Sequence, residues 1–424
     1  MKNHLFKYTR IGDFFMWKKI ILLVTMAVFL FPNSIIADDS NEEDVDSNEI
    51  DNEIIEVSGT VSKTPTLNSR AAIILDRNSK TVMFEKNANT RRAMASTTKI
   101  MTAIIVLENG NLSDIITVSQ KAAGTGGSRL GLKKGDKVSL KDLLYGLMLR
   151  SGNDSAVAIA EHIGGSVQGF AEKMNQKAKQ LGLVNTKFVT PHGLDDQEHY
   201  TTAYELALLT DYALNNKKFA ELVNTKSCSI SINGVSRVIS NTNELLGNLA
   251  GVNGVKTGFT NGAGRCLVTS VIRNNKSLIT VVLGADTKKN RTTDSIRLIE
   301  YAYQNFEYID IDQLAKQEFQ KWKEINEKRI IINKGKENTI ELEMRPITNN
   351  SIPILKEQKE QVRIEIEAIN YLEAPVKKGA VIGIVKVFWK EELIGQTNMV
   401  CSKQIEKKEI YDYMKQILKQ YSFS

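Results

Sequence analysis

A serine three residues ahead of a lysine, Ser96 and Lys99 in residues 91–102 (RRAMASTTKIMT), is the pair on which chemistry in this sequence can centre. An Ala/Met/Ile-rich run follows an Asn-Thr-Arg-Arg loop, so the pattern predicts a helix opening near Ser96. Positions three apart share a helix face, which lets the hydroxyl meet the amine. A serine attacks only once a base takes its proton. A lysine is that base when burial or a neighbouring cation disfavours its charge. Alone the spacing says little, because a chain this long contains roughly one or two such pairs by chance.

Two further pieces change the reading. Ser151-Gly152-Asn153 follows the amphipathic stretch LKDLLYGLMLR, and Lys256-Thr257-Gly258 follows the turn-rich residues 251–254. The order S-x-x-K, S-x-N, K-T-G is that of serine acyl-transferases of the β-lactamase and penicillin-binding type. S-x-x-K and K-T-G each occur once. A second S-x-N, at Ser231 and Asn233, lies in an alternating strand-like run and reads as chance.

The remaining composition excludes several other classes. Apolar and charged fractions of 42% and 25% are those of a globular protein long enough for two or three domains. The net charge of +7 is uneven: the first 37 residues carry five Lys/Arg and one Asp, and without them it is +3. With no interleaving of basic and aromatic residues, nucleic acid is not an expected partner. Cys228, Cys266 and Cys401 are odd in number and far apart, so no disulfide framework is expected. Four histidines without H-E-x-x-H spacing give no zinc-peptidase site, and no metal or cofactor is expected. His192 and His199 read as turn-stabilising residues near the cleft.

Lys18 and Lys19 precede an apolar run over residues 20–31 and a small residue, Ala37, which predicts an export signal over residues 1–37. Residues 38–63 read as a flexible linker, since 38–56 hold ten acidic residues and no basic one. Residues 64–305 are expected to form an α+β domain, an antiparallel sheet with a helical cluster inserted in it. Strands are predicted at 71–75, 81–84, 265–273 and 278–283. Helices are predicted at 96–108, 140–149, 154–163, 167–181, 203–214 and 298–303. Residues 306–402, with strand patterns at 329–332, 339–344, 361–368 and 380–389, predict a small β-sandwich. Residues 403–424 predict an amphipathic helix with Ile410, Tyr413, Met414, Ile417, Leu418 and Tyr421 on one face, a candidate for peripheral membrane contact.

ASTTKIMT, LMLRSGNDSA, PHGL at 191–194, TTAYELA at 201–207 and GVKTGFT together resemble the exported D-alanyl-D-alanine carboxypeptidases, the low-molecular-mass penicillin-binding proteins. The resemblance covers residues 69–307 and continues more weakly through LEAPVKKGAVIG at 372–383 into the last helix. It implies that Ser96 attacks the carbonyl between the last two D-alanines of a peptidoglycan stem peptide and that Lys99 accepts its proton. It also implies that Ser151 relays a proton to the leaving amine and that Asn153 holds Lys99 and the substrate amide. Lys256 and Thr257 would receive the terminal carboxylate, and Gly258 would let the peptide lie along the strand. The backbone N–H groups of Ser96 and Phe259 would form the oxyanion hole, with Arg291 a further candidate near the carboxylate. The family is exported and is acylated by β-lactams. A class A β-lactamase needs a deacylating glutamate, and the stretch holding Glu172 has no E-x-x-L-N. A catalytically retired wall-binding protein is the other alternative, and the intact set of side chains argues against it.

Overall fold

The computed structural model describes residues 64–421, with side chains through Leu418. The expected export signal and acidic linker lie outside the described residues. The sheet that organises the first part of the described chain contains β1 (Ala71–Asp76), β2 (Val82–Lys86) and three later strands. Between them come α1 (Lys99–Asn109), β3 (Ile115–Thr117), α2 (Gln120–Ala123), β4 (Lys137–Ser139), α3 (Leu140–Leu149), α4 (Asn153–Gly164) and α5 (Val167–Gln180). These are followed by α6 (Ala203–Leu214), α7 (Lys217–Val223), β5 (Ser227–Ile232) and β6 (Val235–Ser240). The chain then returns to the sheet as β7 (Val252–Thr260), β8 (Gly264–Arg273) and β9 (Lys276–Ala285), and closes with α8 (Lys288–Asn305). The strand order is β2-β1-β9-β8-β7, antiparallel throughout.

Both faces of this sheet are covered, which explains its long apolar runs. Ala71, Ile73, Leu75, Val268, Ile279 and Val281 pack with α1, α3, α4 and α6 on one side. Ala72, Ile74, Leu267, Leu278 and Val282 pack with Leu298, Ile299 and Ala302 of α8 on the other. The predicted hairpin about Asn274-Asn275 is present, and both asparagines have the positive φ that a two-residue turn requires. The inserted cluster also carries its own four-stranded sheet, β3-β4-β5-β6. The chance copy of S-x-N sits there, with Asn233 Oδ1 accepting the Lys137 N–H.

The rest of the chain holds β10 (Phe306–Asp310), α9 (Ile311–Asn326), β11 (Ile331–Asn333), β12 (Leu342–Met344), β13 (Ser351–Leu355), β14 (Val362–Ala368) and β15 (Tyr371–Glu373). It ends with β16 (Val381–Trp389), β17 (Glu392–Cys401) and α10 (Ile410–Tyr421). Its main sheet runs β12-β17-β16-β14, with β10–β13 and β11–β15 as two-stranded companions. Helix α9 was not anticipated. It is capped by Asp310, which accepts the Gln313 N–H, and it buries Ile311, Ala315 and Phe319 in the same core as Val385 and Val387.

Candidate active site

Ser96 lies on a short helical turn, Ala95–Thr98, and α1 proper begins at Lys99. The expected face-sharing holds, because Lys99 Nζ is 2.7 Å from Ser96 Oγ. Entry to the turn is strained, since Ala95 has φ +48°, and Ser151, between α3 and α4, has φ +58°; side chains rarely adopt this conformation. What over-determines Ala95 is a relay through one imidazole and one hydroxyl. His199 Nδ1 accepts the Val189 N–H at 3.0 Å, which puts its proton on Nε2, 2.7 Å from Thr98 Oγ1. Thr98 in turn donates to Ala95 O at 2.7 Å. Burial pushes the His199 imidazole down to about 4, against the opposing pull of Asp196 and Asp195. His192 is pushed down to about 3, first by burial and then by Lys99 and His199. Both rings are therefore neutral structural parts at physiological pH, which agrees with the turn-stabilising reading.

The loop after Thr190 fastens the nucleophile turn to the sheet edge. Pro191 O accepts the Thr102 hydroxyl at 2.6 Å, and His192 O accepts Lys99 Nζ at 3.0 Å. Asp195 accepts the Thr260 hydroxyl at 2.5 Å and the Gly262 N–H at 2.9 Å. Gly193, at φ +92°, leaves no room for a side chain, since a Cβ there would stand 1.9 Å from Ala95 O. Sequence reasoning singled out PHGL only as part of a resemblance. Its use of a carbonyl, a missing side chain and the adjoining Asp195 is visible only in three dimensions.

Lys99 is fully buried and Lys256 nearly so, at 0% and 1% exposure. Lys99 Nζ reaches Asn153 Oδ1 at 2.7 Å and Ser151 Oγ at 3.3 Å. Lys256 Nζ donates to the same Ser151 Oγ at 3.0 Å and to Thr257 O at 3.0 Å. One hydroxyl thus stands between the two amines. The orientation of Asn153 is fixed by its Nδ2, which donates to Gly126 O at 2.8 Å. The neighbouring Asp154, unremarked in the sequence, accepts the N–H groups of Leu130, Gly131 and Leu132 at 2.9, 2.8 and 3.0 Å. Gly258 brings β7 against the nucleophile turn: a Cβ there would lie 3.0 Å from Ser96 N. Thr257 Oγ1 lies 2.8 Å from Thr242 Oγ1, and the Arg265 guanidinium covers the Phe259 ring at 3.7 Å. Three segments far apart in sequence therefore meet around one serine.

The sequence model described as D-alanyl-D-alanine carboxypeptidase matches residues 58–287, and that described as penicillin-binding protein 5, C-terminal domain, matches residues 317–407. The chain belongs to the D-alanyl-D-alanine carboxypeptidase family. It is 32% identical over 363 residues to D-alanyl-D-alanine carboxypeptidase DacF of Bacillus subtilis, covering 82% of this chain and 89% of that protein. Among solved structures, penicillin binding protein 5 from Haemophilus influenzae superposes with a TM-score of 0.64 at 30% identity, over 81% of this chain and 99% of that one. The Streptomyces K15 DD-transpeptidase matches with a TM-score of 0.54 at 34% identity, over 57% of this chain and 99% of that one.

In this carboxypeptidase Arg291 pairs with Glu244 rather than with the amine cluster. It is 2% exposed and donates from Nη2 to Glu244 Oε1 at 3.1 Å. Burial opposes the charge on Glu244, but Arg291, Thr292 and Lys288 outweigh it and hold the carboxyl below its ordinary value. Cys266 pairs with Gly258 across β7 and β8, and burial pushes its thiol up to about 11, so it is an inert packing group.

Proposed function

We propose that Ser96 is the acylated nucleophile of a serine D-Ala-D-Ala carboxypeptidase, with Lys99 as its base. The observation that carries this is the set of acceptors around the Lys99 amine. A neutral amine has two N–H groups and one lone pair. The two carbonyl oxygens, of Asn153 at 2.7 Å and His192 at 3.0 Å, suit the two N–H groups, which leaves the lone pair for the Ser96 hydroxyl at 2.7 Å, with Ser151 Oγ farther off at 3.3 Å. When the amine gains the serine proton, its third N–H points back to Ser96 Oγ, so both protonation states are satisfied without rearrangement. Burial and the Lys256 ammonium one hydroxyl away both disfavour a resting positive charge on Lys99.

Ser96 Oγ attacks the carbonyl of the penultimate D-alanine of a stem peptide, and its proton passes to Lys99. The C–N bond breaks as Ser151, held between Lys99 and Lys256, gives its hydroxyl proton to the departing D-alanine amine and takes the Ser96-derived proton from Lys99, which leaves Lys99 neutral again. Water then cleaves the ester and releases the shortened peptide. Backbone N–H groups of Ser96 and Phe259 receive the oxyanion, while Lys256, Thr257 and, further out, Arg291 attract the terminal carboxylate. β-Lactams acylate the same serine. Glu172 is exposed on α5, away from the role a β-lactamase asks of a buried water-activating carboxylate, so slow deacylation is expected.

Mass spectrometry of a stem pentapeptide incubated with the protein tests this reading. A product lighter by one alanine supports it, and a cross-linked product would instead indicate transpeptidation. The enzyme acts outside the cytoplasmic membrane in cell-wall synthesis, after removal of the export signal. Among the described residues no helix is long and apolar enough to cross a membrane. Helix α10 instead exposes Ile410, Met414, Ile417 and Leu418, and it lies in the lipid interface. Co-sedimentation with anionic phospholipid vesicles, lost on deletion of residues 410–424, is the expected outcome. Equal retention of both forms in the supernatant would remove the membrane part of the proposal.

A further inference from the structure

The loop leading into β7 is anchored along residues 241–244, and one of its hydroxyls meets the K-T-G strand. Asn241 N–H donates to Lys226 O at 2.8 Å, and its side-chain Nδ2 donates to Thr225 O at 3.1 Å. Thr242 N–H donates to Leu149 O at 3.1 Å, and Asn243 N–H to Asn241 Oδ1 at 2.9 Å. Two residues past Thr242, Glu244 takes Arg291 Nη2 at 3.1 Å, Lys288 Nζ at 3.0 Å and the Thr292 hydroxyl. Held between these anchors, Thr242 Oγ1 stands 2.8 Å from Thr257 Oγ1.

Each of these two hydroxyls has a single proton, so within the pair one donates and the other accepts. A carboxylate only accepts. For Thr257 to give its proton to the terminal carboxylate of a substrate, its oxygen must take the proton of Thr242. We propose that Thr242 is a positioning residue for carboxylate recognition: as the donor of the pair, it leaves the Thr257 hydroxyl hydrogen free for the substrate. This rests on the reading of Thr257 given above as the hydroxyl that meets the carboxylate. Thr257 is 3% exposed, so bulk water is a poor substitute for the missing partner. The anchoring of residues 241–244 keeps the Thr242 hydroxyl in place before substrate arrives, and the same loop also fixes Arg291 through Glu244.

Steady-state hydrolysis of a peptide ending in D-Ala-D-Ala, measured for Thr242→Val, Thr242→Ser and Thr257→Val, tests the proposal. Thr242→Val keeps the shape and removes the hydroxyl. Its KM should rise about five- to tenfold with kcat within about twofold of wild type, the sign of binding lost equally in ground and transition states. Thr242→Ser restores the hydroxyl and should return KM to within about twofold of wild type. Thr257→Val should raise KM at least as much as Thr242→Val. If Thr257→Val raises KM and Thr242→Val does not, the positioning role is wrong and the carboxylate reading stands. If Thr257→Val leaves KM unchanged, the carboxylate reading fails and this inference with it. A loss of kcat alone in Thr242→Val, or failure of Thr242→Ser to rescue, assigns the residue to packing and overturns the proposal.

Discussion

The interior of residues 64–305 holds Lys99, Asp154, His192, His199, Lys256, Arg291 and Asp294 among its buried groups, whereas in residues 306–421 Asp312 is the one buried charged side chain among the described residues. Ion pairs in the second region lie at the surface, as in Lys334–Glu373, Lys336–Glu406 and Lys403–Glu337. Burying a charge costs free energy unless partners surround it, and a surface pair contributes little either way. The first region accepts that cost and surrounds each group with partners, as Lys99 and Asp154 are surrounded. The second has apolar packing and a sheet, a construction suited to holding something at a distance. The contrast teaches where function sits without reference to any relative.

The sharpest way to break the comparison is Ser96→Ala set against Asp312→Asn. Loss of Ser96 should abolish labelling by a fluorescent penicillin and lower peptide hydrolysis at least about 10⁴-fold, whereas Asp312→Asn should leave kcat/KM within about twofold. Residual labelling of Ser96→Ala would move the nucleophile elsewhere. Next comes a pair of glycines, both at positive φ. Gly193→Ala meets Ala95 O and should cost about 3 kcal/mol in urea unfolding, while Gly379→Ala, with its nearest atom 3.7 Å away, should cost about 1 kcal/mol. Equal costs would show that the site's tight contacts relax freely.

The acid response should also divide the regions. His192 and His199 have folded-state values of about 3 and about 4, below the unfolded value near 6.5, so the unfolded chain binds protons first. Stability is therefore intact above about pH 6.5 and falls toward pH 4, by roughly 1.4 kcal/mol per pH unit for each imidazole. His199→Gln should flatten the dependence of Tm on pH, and a wild-type Tm constant from pH 7 to 5 would contradict this. Residues 306–424 carry no histidine and supply no such slope. The smallest effect is expected at Lys386→Ala, which breaks the exposed pair with Glu367 and should cost less than about 1 kcal/mol in unfolding free energy.

The three motifs were legible because covalent chemistry of the proposed kind restricts residue type and spacing together. Ser96, Lys99, Ser151, Asn153 and Lys256 meet in one hydrogen-bonded cluster. Helix α9 was also written in the chain, as Ile311, Ala315, Phe319 and Trp322 behind the cap residue Asp310, but the strand-like runs downstream masked it. Asp154, Asp195 and the His192 carbonyl were not readable, since each acts on a segment brought near only by folding. Backbone carbonyls in particular leave no mark in a sequence. Of the second small sheet, β5 showed as an alternating run, but β3 and β4 have three residues each, too few to establish a period.

Asn153 and Asp154, adjacent in sequence, both fasten residues 126–132: one through Gly126 O, the other through three consecutive amides. That segment is consequently welded to the residues around Lys99. Prising it outward would strip Lys99 of an acceptor in the same motion, so this side cannot serve as a door that swings while the engine stays assembled. A molecule wedged beneath it would disarm the enzyme without ever touching the serine.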